Sequence, residues 1–311
     1  MAGIYRSAEG EGLVRERYQA FVKRWPVPNQ QFHVPTSQGE TFVVASGEEG
    51  APALLLFHGS GGNSAMWMGD VAALAEHFRV YSIDMIGEPG LSAPERPPLA
   101  SDAHALWLDD VLGALAVDRA SIVGISLGGW LALDYATRRP DRVASLVVLC
   151  PGGVGRARRG IVWKALVLGM CGAWGERKLR QIVLGLGLQN APPAVRVFGD
   201  FVALIHKHFR LRREKLPIFS DDALRRLTMP VLAIVGGKDA LLDSAETKRR
   251  LERAAAHADV RYLPEAGHLI PRQTMPIREF LRQGELPDRG NVPFPDGHAG
   301  RIEGSMPHGI G

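Results

Sequence analysis

Gly124-Ile125-Ser126-Leu127-Gly128 matches the pattern G-x-S-x-G. It lies directly after a short apolar run, ASIVGI (120–125), and directly before a stretch with helical character, 127–138. A serine on so sharp a strand-to-helix turn holds a strained backbone. Side chains two residues to either side would clash, which accounts for Gly124 and Gly128. The turn lifts the hydroxyl above the strand ends, where it can attack an electrophilic carbon. It also leaves the Leu127 amide at a helix N-terminus, able to donate to an anion. The rival reading is a turn whose glycines serve packing alone. A second glycine cluster, His58-Gly59-Ser60-Gly61-Gly62, follows the apolar run ALLLF (53–57). Its glycines let backbone approach a substrate carbonyl closely. A phosphate-binding loop would need Gly-Lys-Ser/Thr, which is absent here.

These loops need a scaffold, and the apolar pattern supplies one. Val14, Tyr18, Phe21, Val22 and Trp25 recur at helical spacing within 10–25, closed by Pro26. FHVPT (32–36) and TFVVASG (41–47) read as a strand pair around Ser37-Gln38-Gly39. Strands are then predicted at 53–57, 79–84, 120–125, 143–150, 230–236 and 260–264. Helices are predicted near 65–77, 101–116, 127–138, 244–257 and 276–283. The strand runs are continuously apolar without alternation, as in strands buried on both faces. The βαβα order argues for a parallel sheet with helices on both sides. From Pro151 to about Pro217 the strand rhythm stops, and 151–217 reads as a helical insertion. Residues 1–29 form an N-terminal helical extension, 30–150 and 218–283 the core, and 284–311 a Gly- and Pro-rich disordered tail.

Composition narrows the function classes. The 311 residues are 46% hydrophobic and 23% charged, as in an ordinary soluble domain. No run approaches the roughly 18 consecutive apolar residues of a membrane span. The first thirty residues carry charges throughout and lack a signal-peptide core, so a cytoplasmic location is expected. Cys150 and Cys171 make no disulfide framework and read as buried thiols, and no Cys/His cluster has zinc-ligand spacing. The net charge of +4 is uneven. Residues 156–215 hold thirteen Lys/Arg against three Asp/Glu, a net +10. No nucleic-acid-binding motif accompanies that stretch.

Taken together, the N-terminal helix, His58-Gly59, Trp67, Asp84 with Ile86-Gly87, and Gly124-Ile-Ser-Leu-Gly-Gly129 resemble α/β-hydrolase-fold serine hydrolases over about 40–283. More narrowly, they are similar to bacterial carboxylesterases of the naproxen-esterase type. The resemblance implies a mainly parallel, eight-stranded sheet flanked by helices, with a helical cap at 151–217. It implies a Ser–His–Asp triad in the chain order serine, acid, histidine. Ser126 is then the nucleophile. Asp239, in Gly236-Gly237-Lys238-Asp239, is the acid, with Asp243 four residues on as its competitor. His268, in Glu265-Ala266-Gly267-His268, is the base. His257 lies in a charged helix, and His58 reads as structural or as a supporting donor. In this family the residue after His-Gly supplies one oxyanion amide, here Ser60, and Leu127 supplies the other. One departure stands out: many relatives carry D-x-x-G-x-G-x-S, whereas Asp84-Met-Ile-Gly87-Glu88-Pro89-Gly90-Leu91-Ser92 puts the second glycine one position late. Glu88 is expected to be a solvated loop carboxylate.

The implied reaction is hydrolysis of carboxylic esters through an acyl-enzyme, with no metal or organic cofactor, on a small-molecule ester with an apolar acyl group. Neither nucleic acid nor stable membrane insertion is expected. Ser126 at the elbow sets the chain apart from haloalkane dehalogenases and epoxide hydrolases, which place aspartate there. A perhydrolase, a carbon–carbon bond hydrolase or an acyltransferase would use the same triad, and a non-catalytic binding protein can retain it. Met66 and Trp67, after the oxyanion loop, read as pocket lining or helix packing. Trp163, Leu166, Met170 and Trp174, in the apolar run 161–174, read as cap packing, as acyl-pocket wall, or, with the basic residues around them, as interfacial attachment to an anionic lipid surface.

Overall fold

The computed structural model describes residues 3–158 and 192–285. Trp163, Leu166, Met170, Cys171 and Trp174 lie outside the described residues, as does the chain beyond 285.

Eight strands form one sheet: β1 (Asn29–Val34), β2 (Thr41–Ser46), β3 (Ala53–Phe57), β4 (Arg79–Ile83), β5 (Ala120–Ile125), β6 (Val143–Leu149), β7 (Val231–Gly236) and β8 (Asp259–Leu263). Their order is β1-β2-β4-β3-β5-β6-β7-β8. β2 pairs antiparallel with both β1 and β4, and every later pairing is parallel. The unbroken apolar runs have the expected cause, since β3 to β7 are buried on both faces. Leu55 and Phe57 face one apolar layer while Leu54 and Leu56 face the other. Strand order reverses between β3 and β5, and such a switch point opens a crevice at the carboxyl ends of the strands. Both glycine clusters lie there.

Helices cover both faces. α1 (Ala8–Val22) is capped by the Ser7 hydroxyl, which accepts the Gly10 amide at 3.0 Å. Its buried residues Gly10, Val14, Tyr18 and Val22 recur every four positions, a single stripe. The stretch read as one helix near 65–77 is two pieces, a 3-10 turn at Ser64–Trp67 and α2 (Val71–Ala75). Gly69-Asp70 separates them, and neither residue sustains a helix interior well. α3 (Ala103–Ala114) and α4 (Leu127–Arg138) follow. Within the insertion, α5 (Pro193–His208) packs on α1 through Phe201, stacked on Tyr18 at 6.3 Å and tilted against Phe21 at 5.0 Å. The chain start is sewn to the same region: the Arg6 amide donates to the His208 carbonyl and the Arg210 amide to the Ile4 carbonyl, both at 2.8 Å. α6 (Asp221–Leu224), α7 (Ser244–Ala254) and α8 (Thr274–Glu285) complete the described helices, α8 running two residues into the stretch read as tail. Among the described residues, no helix is long and apolar enough to cross a membrane.

The start of α4 shows how tightly the switch point is packed. A methyl built on Gly128 would come within 2.5 Å of the Phe57 and His58 carbonyl oxygens, and one on Gly124 within 2.3 Å of the Gly128 carbonyl oxygen. These neighbours are backbone and cannot swing aside. Gly128→Ala is therefore expected to destabilise the fold by about 3 kcal/mol or more. A urea midpoint equal to that of the wild type would contradict this packing.

Candidate active site

Ser126 follows β5 with φ +55° and ψ −106°, a backbone state rarely held by a residue with a side chain. Its amide donates to the Leu149 carbonyl at 2.9 Å. Its carbonyl accepts the Trp130 amide at 2.9 Å and the Gly152 amide at 3.1 Å. The strained turn is thus held from β6, from α4 and from the chain beyond β6. Ser126 Oγ lies 2.9 Å from His268 Nε2, and His268 Nδ1 lies 2.7 Å from Asp239 Oδ2. Residues 126, 239 and 268 follow β5, β7 and β8, so the parallel sheet gathers them at one edge.

Asp239 is completely buried. Burial alone would raise its carboxyl. The hydrogen bond and charge of His268, together with the Leu241 and Leu242 amides at 2.7 and 3.0 Å from Oδ1, outweigh it and hold the acid below its ordinary range. Asp243 does different work: its Oδ1 accepts the Glu246 amide at 3.0 Å and caps α7. Geometry separates two carboxylates that sequence could only rank.

Beneath the pair sits Cys150, buried and with φ +41°. Its Sγ and ligand atoms of Asp239 and His268 all lie within 4.8 Å of one another. Asp239 and His268 already engage each other, however, and burial, followed by the nearby Asp239 charge, pushes the thiol up and keeps it protonated. The cluster reads as packing under the histidine–aspartate pair.

His58 is buried with both ring nitrogens engaged: Nδ1 lies 2.8 Å from the Gly59 carbonyl, and Nε2 accepts the Met85 amide at 3.0 Å. Burial lowers its pKa, so a neutral imidazole ties the loop after β3 to the loop after β4. Ser60 is exposed at the mouth of the crevice, and Leu127 opens α4, where its amide has no carbonyl one turn back. Met66 borders the glycine loop, its Sδ 2.5 Å from a methyl built on Gly62. Trp67 is 2% exposed and belongs to the apolar layer that also holds Val71 and Leu74, so it packs the core. His257 Nε2 donates to the Met229 carbonyl at 2.9 Å and is not part of the Ser126–His268–Asp239 chain.

Asp84 is the junction of the surrounding loops. Its Oδ1 accepts the Tyr18 hydroxyl at 2.7 Å, the Ser64 amide at 2.9 Å and the Ser64 hydroxyl at 2.7 Å, and its Oδ2 accepts the Leu91 amide at 2.8 Å. The departing motif around it keeps its shape in part because Gly90 lies against this carboxylate.

Glu88 is not the solvated carboxylate expected. It is 3% exposed, and its Oε2 accepts the Gly61 amide at 2.6 Å. It lines a cavity whose apolar wall includes Met85, Leu99, Leu127 and Leu131 and whose polar members are Glu88, His104 and Arg212. The loop turns inward because the Gly61 amide offers a donor and Arg96 and Arg212 offset the charge. Gly61 and Arg212 are distant in sequence, and no local pattern announces them. Burial pushes the Glu88 carboxyl up to about 7, against the pull of the Gly61 amide, Arg96 and Arg212. His104, also buried, is pushed down to about 4, first by burial and then by Arg212.

The two shifts make opposite demands. The fold binds the Glu88 proton more tightly than the unfolded chain does, so this contribution is complete below about pH 4.5 and lost as pH rises through 7. His104 contributes above about pH 6.5 and loses that as pH falls through 4. Between these limits they nearly cancel in the wild type. Glu88→Gln removes one of them. Its stability relative to wild type is expected to rise by about 3 kcal/mol from pH 4.5 to 7. Urea unfolding of both proteins at the two pH values checks this, and a constant difference would refute it.

The sequence profile of the alpha/beta hydrolase family matches residues 54–283, well over half of the chain. The chain belongs to the alpha/beta hydrolase family. Among relatives of this family member is carboxylesterase YbfK of Bacillus subtilis (strain 168), 29% identical over 259 residues, covering 81% of this chain and 87% of that protein. Among solved structures, naproxen esterase (carboxylesterase NP) from Bacillus subtilis superposes with a TM-score of 0.76 at 25% identity, over 89% of this chain and 99% of that one. Carboxylesterase CesB (YbfK) from Bacillus subtilis gives 0.71 at 27% identity, over 89% of this chain and 96% of that one.

Proposed function

We propose that this hydrolase is a serine carboxylesterase working through an acyl-enzyme. The observation that carries the reading is the unbroken hydrogen-bond chain Ser126–His268–Asp239, at 2.9 and 2.7 Å, on a strained strand-to-helix turn. The names of the Bacillus relatives support the same chemistry.

His268 Nε2 takes the Ser126 proton as Oγ attacks the ester carbonyl. The Ser60 and Leu127 amides hold the oxyanion. His268 then protonates the departing alcohol. A water, deprotonated by the same nitrogen, attacks the acyl carbon and releases the acid. Asp239 fixes the tautomer that puts the proton on Nδ1 and balances the imidazolium. The substrate is a small ester whose acyl group meets the apolar wall beside Leu127.

Hydrolysis of p-nitrophenyl esters from acetate to palmitate tests this. Turnover with a chain-length optimum is expected. Failure on every ester would turn the search to carbon–carbon bonds, perhydrolysis, acyl transfer or ligand binding. A paired substitution tests the acid. Asp239→Asn is expected to lower kcat by roughly 10³-fold or more, because an amide no longer selects the tautomer. Asp243→Asn is expected to leave kcat within about 3-fold, since asparagine caps a helix nearly as well as aspartate. The opposite ranking would move the acid to Asp243.

A further inference from the structure

The 59–62 turn presents the Ser60 amide, and one feature of it calls for an outside partner. The Gly62 amide donates to the Gly59 carbonyl at 3.1 Å, which closes a four-residue turn with Ser60 and Gly61 at its centre. Gly61 has φ +69°, the signature of a type II turn at its third position. Types I and II differ by rotation of the middle peptide, which carries the Ser60 carbonyl and the Gly61 amide. Glycine at the third position permits both states, so the chain itself does not choose between them. The choice is made from the loop after β4. Glu88 Oε2 receives the Gly61 amide at 2.6 Å in a buried setting, where a hydrogen bond is stronger than in water.

We infer that Glu88 is a positioning residue that locks the middle peptide of this turn and so holds the Ser60 amide ready for the oxyanion. The inference rests on the esterase reading above. Glu88 reaches the turn from 27 residues away, so the contact couples two loops that strand order alone would leave independent. The same carboxylate is faced by Arg96 and Arg212, which offset a negative charge that would otherwise oppose the oxyanion. The acceptor oxygen is therefore the feature the turn needs, and the charge is incidental. Glutamine, with its carbonyl oxygen, can replace it; alanine cannot.

The test compares wild type, Glu88→Gln and Glu88→Ala with a p-nitrophenyl ester, and follows the Gly61 amide proton by NMR hydrogen exchange. Glu88→Ala is expected to lose about 10- to 100-fold in kcat with KM within about 3-fold, the penalty of a misplaced donor. Glu88→Gln is expected to recover most of that loss. Gly61 exchange should be slow in wild type and Glu88→Gln and fast in Glu88→Ala. Full activity in Glu88→Ala, or a Gln variant as impaired as Ala, would overturn the assignment. So would equal Gly61 protection in all three. If wild type hydrolyses no ester while Gly61 protection follows the expected order, the esterase reading fails and the turn-locking contact stands. Should Glu88→Ala fail to fold, the Gln variant decides: loss of Gly61 protection there overturns the role of the acceptor oxygen.

Discussion

Ser126→Ala is expected to reduce ester turnover by about 10⁴-fold or more while leaving the protein folded. The loss is large because the other parts act through this one oxygen. His268 has no proton to remove, Asp239 no imidazolium to stabilise, and the oxyanion amides no covalent intermediate to hold. The fold is expected to survive because the Ser126 side chain makes no cap to α4, and the turn is held by backbone bonds to Leu149, Trp130 and Gly152. Alanine inherits the same φ of +55° and the same strain. Steady-state hydrolysis, active-site labelling with a fluorophosphonate and a thermal melt together decide the matter. A melt unchanged within a few degrees, with turnover and labelling abolished, is the expected pattern. A variant that still turns over esters at the wild-type rate would remove Ser126 from the chemistry altogether.

Asp84→Ala is expected to have the largest effect on stability, about 3–5 kcal/mol. The position is fully buried and its carboxylate serves four donors. Removing it strands the Tyr18 hydroxyl, the Ser64 amide and hydroxyl, and the Leu91 amide together, and each unpaired buried group carries its own desolvation cost. Asn is expected to be nearly as damaging, because its NH₂ turns a donor toward donors. Tyr18→Phe removes a single bond and sets the scale at about 1 kcal/mol. Urea midpoints for the three variants check the ranking. An Asp84→Ala protein no less stable than Tyr18→Phe would mean that water replaces the carboxylate.

Much of this architecture is written locally. Leu54–Phe57 and Val231–Val235 are apolar without alternation because both sheet faces are covered, so their burial follows from composition alone. Gly124 and Gly128 flank Ser126 because backbone stands where their side chains would go, a constraint visible as a pattern. Other features depend on who meets whom. Asp239 and Asp243 are equivalent by chain order, and only the approach of His268 distinguishes them. Trp67 lies shortly after the glycine loop, where pocket lining and core packing read alike in sequence, and the fold packs it in the core. Glu88 has the sequence context of an exposed turn. Its burial is decided by Gly61 and Arg212, remote along the chain, together with Arg96 from the same loop.

The bond between Tyr18 and Asp84 bears on what counts as the heritable unit of this protein. The stretch matching the family profile begins at Leu54, in β3, and omits α1, β1 and β2. Yet α1 supplies the tyrosine that anchors the aspartate behind the crevice, and residues 4–6 pair with the chain next to α5. A fragment cut to the recognisable stretch would expose Phe42's and Tyr18's former contacts and unpin the loops that carry Ser64 and Leu91. Modularity as judged by sequence likeness and modularity as judged by mechanical closure therefore have different borders here. Chimeras with other hydrolases should exchange the leading helix together with the loop after β4, as one matched set.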